Sequence, residues 1–172
     1  QVGRTGKGWG PGSHAKLGIP SNPLGKVFMR EKLVNPPEGL NGTDYAPNFD
    51  RFLAWRDTKK PLFFWAGVIE PHEPPGKENH LLLEKEFGVT LDQVSLPPFT
   101  EDTAGNQRKR ARFVYEICCA DAHLDRMLKS LKAAGELDNT LVVVSSDNGT
   151  AILSKGQHRG KASPYDFGVH VP

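Results

Sequence analysis

The sequence holds only two cysteines, has almost no net charge, and lacks any apolar run near the ~18 residues that a membrane-spanning helix needs. Each shortage removes a class of explanation. Cys118 and Cys119 are neighbours inside a helical pattern, where adjacent side chains point in different directions. A bridge between them is therefore excluded, neither C-x-x-C nor zinc spacing is present, and they read as small core-filling residues. A formal charge of +2 gives no ground for a nucleic-acid or membrane partner. No initiator methionine and no charged-then-apolar leader precede the first motif, and the last residues, Val171-Pro172, follow an apolar stretch directly. These features lead us to expect an internal piece of a longer chain.

What is present suits a folded core. Hydrophobic residues make up 37% and charged residues 24% of 172, enough for one domain or a large part of a bigger one. Residues 1–48 are rich in Gly, Pro and Asn and predict loops with short ordered pieces. Asn48 is expected to cap a short helix over about 49–57 that buries Phe49, Phe52 and Leu53. Leu62 to Ile69 is a continuous apolar run, rich in aromatic and β-branched residues, and predicts a strand buried on both faces. It ends in Glu70-Pro71-His72-Glu73-Pro74-Pro75, whose prolines cannot continue a ladder. A helix is expected near 79–87 and a loop at Leu96-Pro97-Pro98-Phe99. The clearest helix covers about 105–134, with Val114, Ile117, Leu124, Met127, Leu128 and Leu131 on one apolar face and Gly135 as its stop. The basic residues Arg108, Lys109, Arg110 and Arg112 form its solvated start. A second buried strand is predicted at Leu141–Val144, leading into Ser145-Ser146-Asp147-Asn148-Gly149.

Strand, helix, strand in that order builds a parallel sheet covered by helices, and such sheets bind ligands beyond the carboxyl ends of their strands. His72 and Asp147-Asn148 both fall at that edge. Asp147 and Asn148 offer oxygen donors suited to a hard cation such as Ca²⁺ or Mg²⁺, although by itself Asp-Asn-Gly is ordinary turn chemistry. His72 reads either as a surface-loop histidine or as a general acid or anion donor. Lys161, in His158-Arg159-Gly160-Lys161, belongs either to a solvated basic loop or to an anion-binding cluster. Lys7 lies in a glycine-rich run from Gly6 to Gly12 that lacks the Gly-Lys-Ser/Thr closure of a P-loop.

Taken in order, these segments resemble the sulfatase branch of the alkaline phosphatase superfamily, closest to the heparan N-sulfatase (sulfamidase) group. The matching residues are Gly6-Lys7, Pro71-His72-Glu73-Pro74, Tyr115 with Asp121, the run Thr140 to Gly149, Gly160-Lys161, Tyr165-Asp166 and Val171-Pro172. The resemblance implies an alkaline phosphatase-like α/β fold, a three-layer α/β/α sandwich with a mostly parallel sheet, of which residues 1–172 are part of a single catalytic domain. It implies a sulfuric ester hydrolase acting on a sulfate ester or N-sulfate, with a sulfated small molecule or glycan as substrate. Asp147 and Asn148 would be ligands of a divalent metal, usually calcium, while Lys7, His72 and Lys161 would contact the sulfate group, the nucleophile or the leaving oxygen. A periplasmic, secreted or lysosomal location follows by the same likeness. The family's formylglycine nucleophile arises in a Cys-x-Pro-x-Arg signature, which neither Cys118 nor Cys119 has, so it is expected upstream together with the first metal-binding aspartates. Trp9 stands where relatives often place a histidine, and Asp125 where they usually carry glycine. Two glycosylation sequons occur, Asn41-Gly42-Thr43 and Asn148-Gly149-Thr150, the second overlapping the expected metal ligand. A phosphodiesterase-type hydrolase of the same superfamily and a non-catalytic sulfated-glycan binding protein are the alternative readings.

Overall fold

The computed structural model describes residues 1–9, 12–98, 100–150, 152–153 and 165–172. Strands β1 (Val2–Gly6), β2 (Lys26–Val27) and β3 (Phe63–Gly67) form a parallel sheet in the order β2-β1-β3. The β1–β3 pairing is continuous, from Val2 opposite Phe63 to Gly6 opposite Gly67. The parallel α/β class expected from the sequence is what the structure shows. β1 and β2 arise inside the stretch expected to be mainly loops.

Helix α1 (Tyr45–Trp55) packs on β1 and β3. It starts earlier than Asn48, with Asp44 as the capping position and Pro47 accommodated in the first turn. Asn48 is not a cap. It is buried within the helix, donating to the carbonyls of Glu31 and Asp44 and accepting from the Glu31 amide at 3.1 Å. An amide side chain with three partners stabilises the chain better there than at a solvated end. Tyr45, Phe49 and Phe52 recur at helical spacing and face inward. Phe52 has no exposed surface and meets Phe28 edge-on, with ring centroids 5.7 Å apart. Phe64, on the covered face of β3, lies 4.8 Å from both Phe49 and Phe52.

The strand expected to be buried on both faces is covered on one. Phe63 and Trp65 are 52% and 45% exposed, because among the described residues only α1 packs on this sheet. The predicted strand at Leu141–Val144 is not a strand in the structure. These residues are irregular and exposed, Leu141 at 89%, since none of the described residues offers them a ladder partner and isolated strands do not hold.

Helix α2 (Asn79–Phe87) and the long α3 (Ala104–Ala133) match their expected ranges. Thr103 caps α3 by accepting from the Asn106 amide at 3.2 Å, and Gly135 follows its end with φ +70°, the left-handed geometry that favours glycine. The buried face of α3 differs from the expected one. It runs through Ala111, Tyr115, Glu116, His123, Met127 and Leu131, and Ile117 is 41% exposed. Met127 and Leu131 join the aromatic core of α1, whereas Ala111 and Tyr115 pack with Leu83 of α2. Cys118 and Cys119 are free, partly buried thiols against this second cluster, as small core residues should be. A short helix α4 (Asp166–Val169) lies near the end of the chain.

Because Phe52 joins β1, β3 and α1 in one core, Phe52→Ala is expected to cost about 3–5 kcal/mol. Urea denaturation should show a lower midpoint at unchanged slope, and an unshifted midpoint would place the main core elsewhere.

Candidate functional site at the carboxyl edge of the sheet

The parallel register delivers two segments to one edge. Lys7 follows β1, and the loop of residues 68–75 follows the adjacent β3. Their exits are locked together: the Lys7 amide donates to the Gly67 carbonyl at 2.7 Å, and the Trp65 indole N–H donates to the Lys7 carbonyl at 2.8 Å. Gly67 is required here, since a Cβ at that position would stand 1.8 Å from the Lys7 carbonyl oxygen. Gly6 supplies the turn with φ +69°.

The Lys7 ammonium pairs with the Asp147 carboxylate, across 140 residues of sequence. Both side chains are more than half exposed, so the pair adds little to stability and its interest lies in what it brings together. Asp147 thus joins the sheet edge through Lys7, not as the end of a strand. Beside it, the Asn148 side-chain Nδ2 donates to the Gly149 carbonyl at 2.8 Å, and the Gly149 backbone amide donates to the Gly168 carbonyl at 3.0 Å, seating this turn against α4. Lys161, with His158, Arg159 and Gly160, lies outside the described residues.

His72 is exposed, and the loop carrying it is fastened from beneath at three points. The Ile69 amide donates to the Tyr45 hydroxyl at 3.1 Å. Glu70, 8% exposed, accepts from the Asn41 amide at 2.6 Å and from the Tyr45 hydroxyl at 3.2 Å. The His72 amide donates to the Glu116 carboxylate of α3 at 2.7 Å. Tyr45 and His123 meet edge-on at 4.9 Å, tying this network back to α3.

Burial dominates the titration of these groups. It pushes the Tyr45 phenol far above its usual range, assisted by Glu70, and lowers the His123 imidazole against the opposing charge of Asp44. Glu116 has no exposed surface, and its carboxyl is pushed up to about 7, first by loss of water and then by the nearby charge of Glu70. The hydrogen bond from His72 works in the opposite direction.

Sequence reasoning overlooked Glu70, Tyr45 and Glu116. One signal was available for Glu116: it falls at helical spacing from His123, Met127 and Leu131, and a charged residue on an inward face is rarely there without a partner. No such signal marked Tyr45, whose partners are 24 and 25 residues away.

The sulfatase family model matches residues 7–172, which contains every site residue named above. The chain belongs to the sulfatase family. This sulfatase chain is 31% identical to an endo-4-O-sulfatase of Bacteroides thetaiotaomicron over 121 residues, covering 68% of the chain and 24% of that protein. It is 42% identical to an extracellular sulfatase SULF-1 homolog of Drosophila melanogaster over 185 aligned positions, covering 86% of the chain and 16% of the relative. Among solved structures, one concerned with glycosaminoglycan metabolism by B. thetaiotaomicron matches with a TM-score of 0.61 at 24% identity, covering 77% of this chain and 29% of that one. The chain therefore spans about a quarter or less of the length of these two relatives.

The folded sulfatase chain holds the Glu116 proton more tightly than the unfolded chain, whose carboxyl titrates near 4.5. Stability from that group is fully present below about pH 4.5 and is lost as pH rises through about 7. Glu116→Gln, which cannot ionise, should gain stability relative to wild type between about pH 5 and about pH 8. Urea midpoints at the two pH values test this, and a constant difference would show that Glu116 titrates normally.

Proposed function

We propose that the complete protein is a sulfuric ester hydrolase that cleaves a sulfate ester or N-sulfate of a carbohydrate, and that residues 1–172 are part of its single catalytic domain. The observation that carries this reading is the meeting of Lys7 and Asp147 at the sheet edge that also carries the His72 loop, in a chain matched to the sulfatase family nearly end to end. The names of the two relatives support a sulfated-glycan substrate. The ordered motifs from Gly6-Lys7 to Val171-Pro172 support placement near the heparan N-sulfatase group.

Asp147 and Asn148 are the ligands we assign to a divalent cation, a hard ion such as Ca²⁺ or Mg²⁺ by the chemistry of their oxygens and Ca²⁺ by the family resemblance. The structure fits that assignment in one respect: the exposed Asp147 carboxylate already receives a positive charge, the Lys7 ammonium. Among the described residues no three His, Cys, Asp or Glu side chains cluster into a complete shell, so further ligands must come from elsewhere. When bound, the cation supplies positive charge against the oxygens that become negative as the S–O bond breaks. The formylglycine nucleophile of the family is assigned to sequence outside this chain.

The remaining roles belong to side chains of this chain. Lys7 and Lys161 direct fixed positive charge at the sulfate oxygens, and His72 donates a proton to the departing oxygen. Pairing with Asp147 keeps the Lys7 ammonium aimed at the anion site before substrate arrives. This preorganisation avoids a reorganisation cost during reaction.

In the complete protein, Asp147→Ala and Lys161→Ala are each expected to lower kcat on para-nitrophenyl sulfate by roughly a hundredfold or more. Near-normal turnover in either variant would remove that residue from the site. No hydrolysis of para-nitrophenyl sulfate by the unaltered complete protein would favour a phosphoryl-transfer or glycan-binding role for the fold.

A further inference from the structure

We propose that Glu116 is a positioning residue for His72, holding the backbone of the proton-donating loop at a fixed height over the sheet edge. The inference rests on the reading of His72 given above and adds a residue to it. Its starting point is an imbalance. Glu116 is fully buried in the middle of α3, and a carboxyl group out of water costs several kcal/mol unless its oxygens are satisfied. Among the described residues one oxygen has no hydrogen-bond partner, and the other accepts a single bond, from the His72 amide at 2.7 Å. No cation pairs with it among the described residues. The charge of Glu70, of the same sign, acts on it. For stability alone, an apolar side chain would serve this helix face better, since Ala111, Met127 and Leu131 already do so along it. The fold instead spends a buried acid on the backbone of one exposed histidine.

The geometry suits the role. α3 is a 30-residue helix pinned by two separate hydrophobic clusters, through Ala111 and Tyr115 on one side of Glu116 and Met127 and Leu131 on the other. A ligand on such a helix has a fixed position relative to β1 and β3. His72 lies five residues beyond Gly67, on a proline-flanked loop that makes no ladder of its own. Tyr45 and Glu70 fix the first half of that loop, and Glu116 fixes the residue that bears the imidazole. An acceptor oxygen is present in either protonation state of Glu116, so the tie does not depend on ionisation.

The test uses the complete protein and two aryl sulfates, phenyl sulfate with a poor leaving group and para-nitrophenyl sulfate with a good one. A histidine that protonates the departing oxygen matters far more for the first. Glu116→Leu keeps the volume and removes the acceptor. It should lower kcat on phenyl sulfate roughly a hundredfold with little change in KM, and far less on para-nitrophenyl sulfate. Glu116→Gln, which retains an acceptor, should recover most of the rate. Should the leucine variant fail to fold, Glu116→Asp, one methylene shorter, should show the same leaving-group-selective loss. His72→Ala sets the reference pattern. If His72→Ala is selective for phenyl sulfate and the Glu116 variants are not, the positioning role is overturned while the histidine assignment stands. Equal losses on both substrates, unrelieved by glutamine, would reduce Glu116 to a structural part. A His72→Ala variant without leaving-group selectivity would overturn the histidine reading itself, and the positioning role with it.

Discussion

The site depends on the in-register pairing of β1 with β3. Parallel strands in direct contact end at the same edge, so whatever follows each strand must emerge side by side. Here the consequence is sharpened by Gly67, where the absence of a side chain lets the Lys7 backbone lie against the neighbouring strand. Lys7 and the His72 loop are neighbours because five residue pairs are in step, and a slip of one residue would move both the core aromatics and the site.

Beneath that edge the structure uses polar groups where a core would ordinarily use apolar ones. Glu70, Tyr45, His123 and Glu116 are all nearly excluded from solvent, and three of them secure the loop between β3 and α2. Such a layer lowers stability and raises definition, because each hydrogen bond accepts one arrangement of the loop and rejects others. Helix α3 bears half of this layer and is itself held in two hydrophobic clusters, so the rigidity of the core is passed to an exposed histidine through a few short bonds.

The sequence disclosed local order better than pairing. Helices α2 and α3 were readable because their periodicity and stops are contained within each segment, as Thr103 and Gly135 illustrate. The exits of β1 and β3, which carry Lys7 and the His72 loop, were marked by Gly6 and by the prolines after Ile69. What was not readable came from partners distant in the chain. The apolar spacing of α3 included Ile117, whereas the positions of α1, α2 and the His72 loop turn the stripe through Glu116 inward. Residues 62–69 carry no mark showing that just one face would be covered. Asn48 had the right chemistry for a cap, yet the Glu31 backbone claimed it instead. Leu141–Val144 has the composition of a strand, and composition does not supply a neighbour.

That last segment has a consequence for the chain as a material. Four consecutive apolar residues, three of them valines, present extended-prone backbone with substantial exposure. A row of unpaired backbone groups accepts a neighbouring strand, and none of the described residues supplies one.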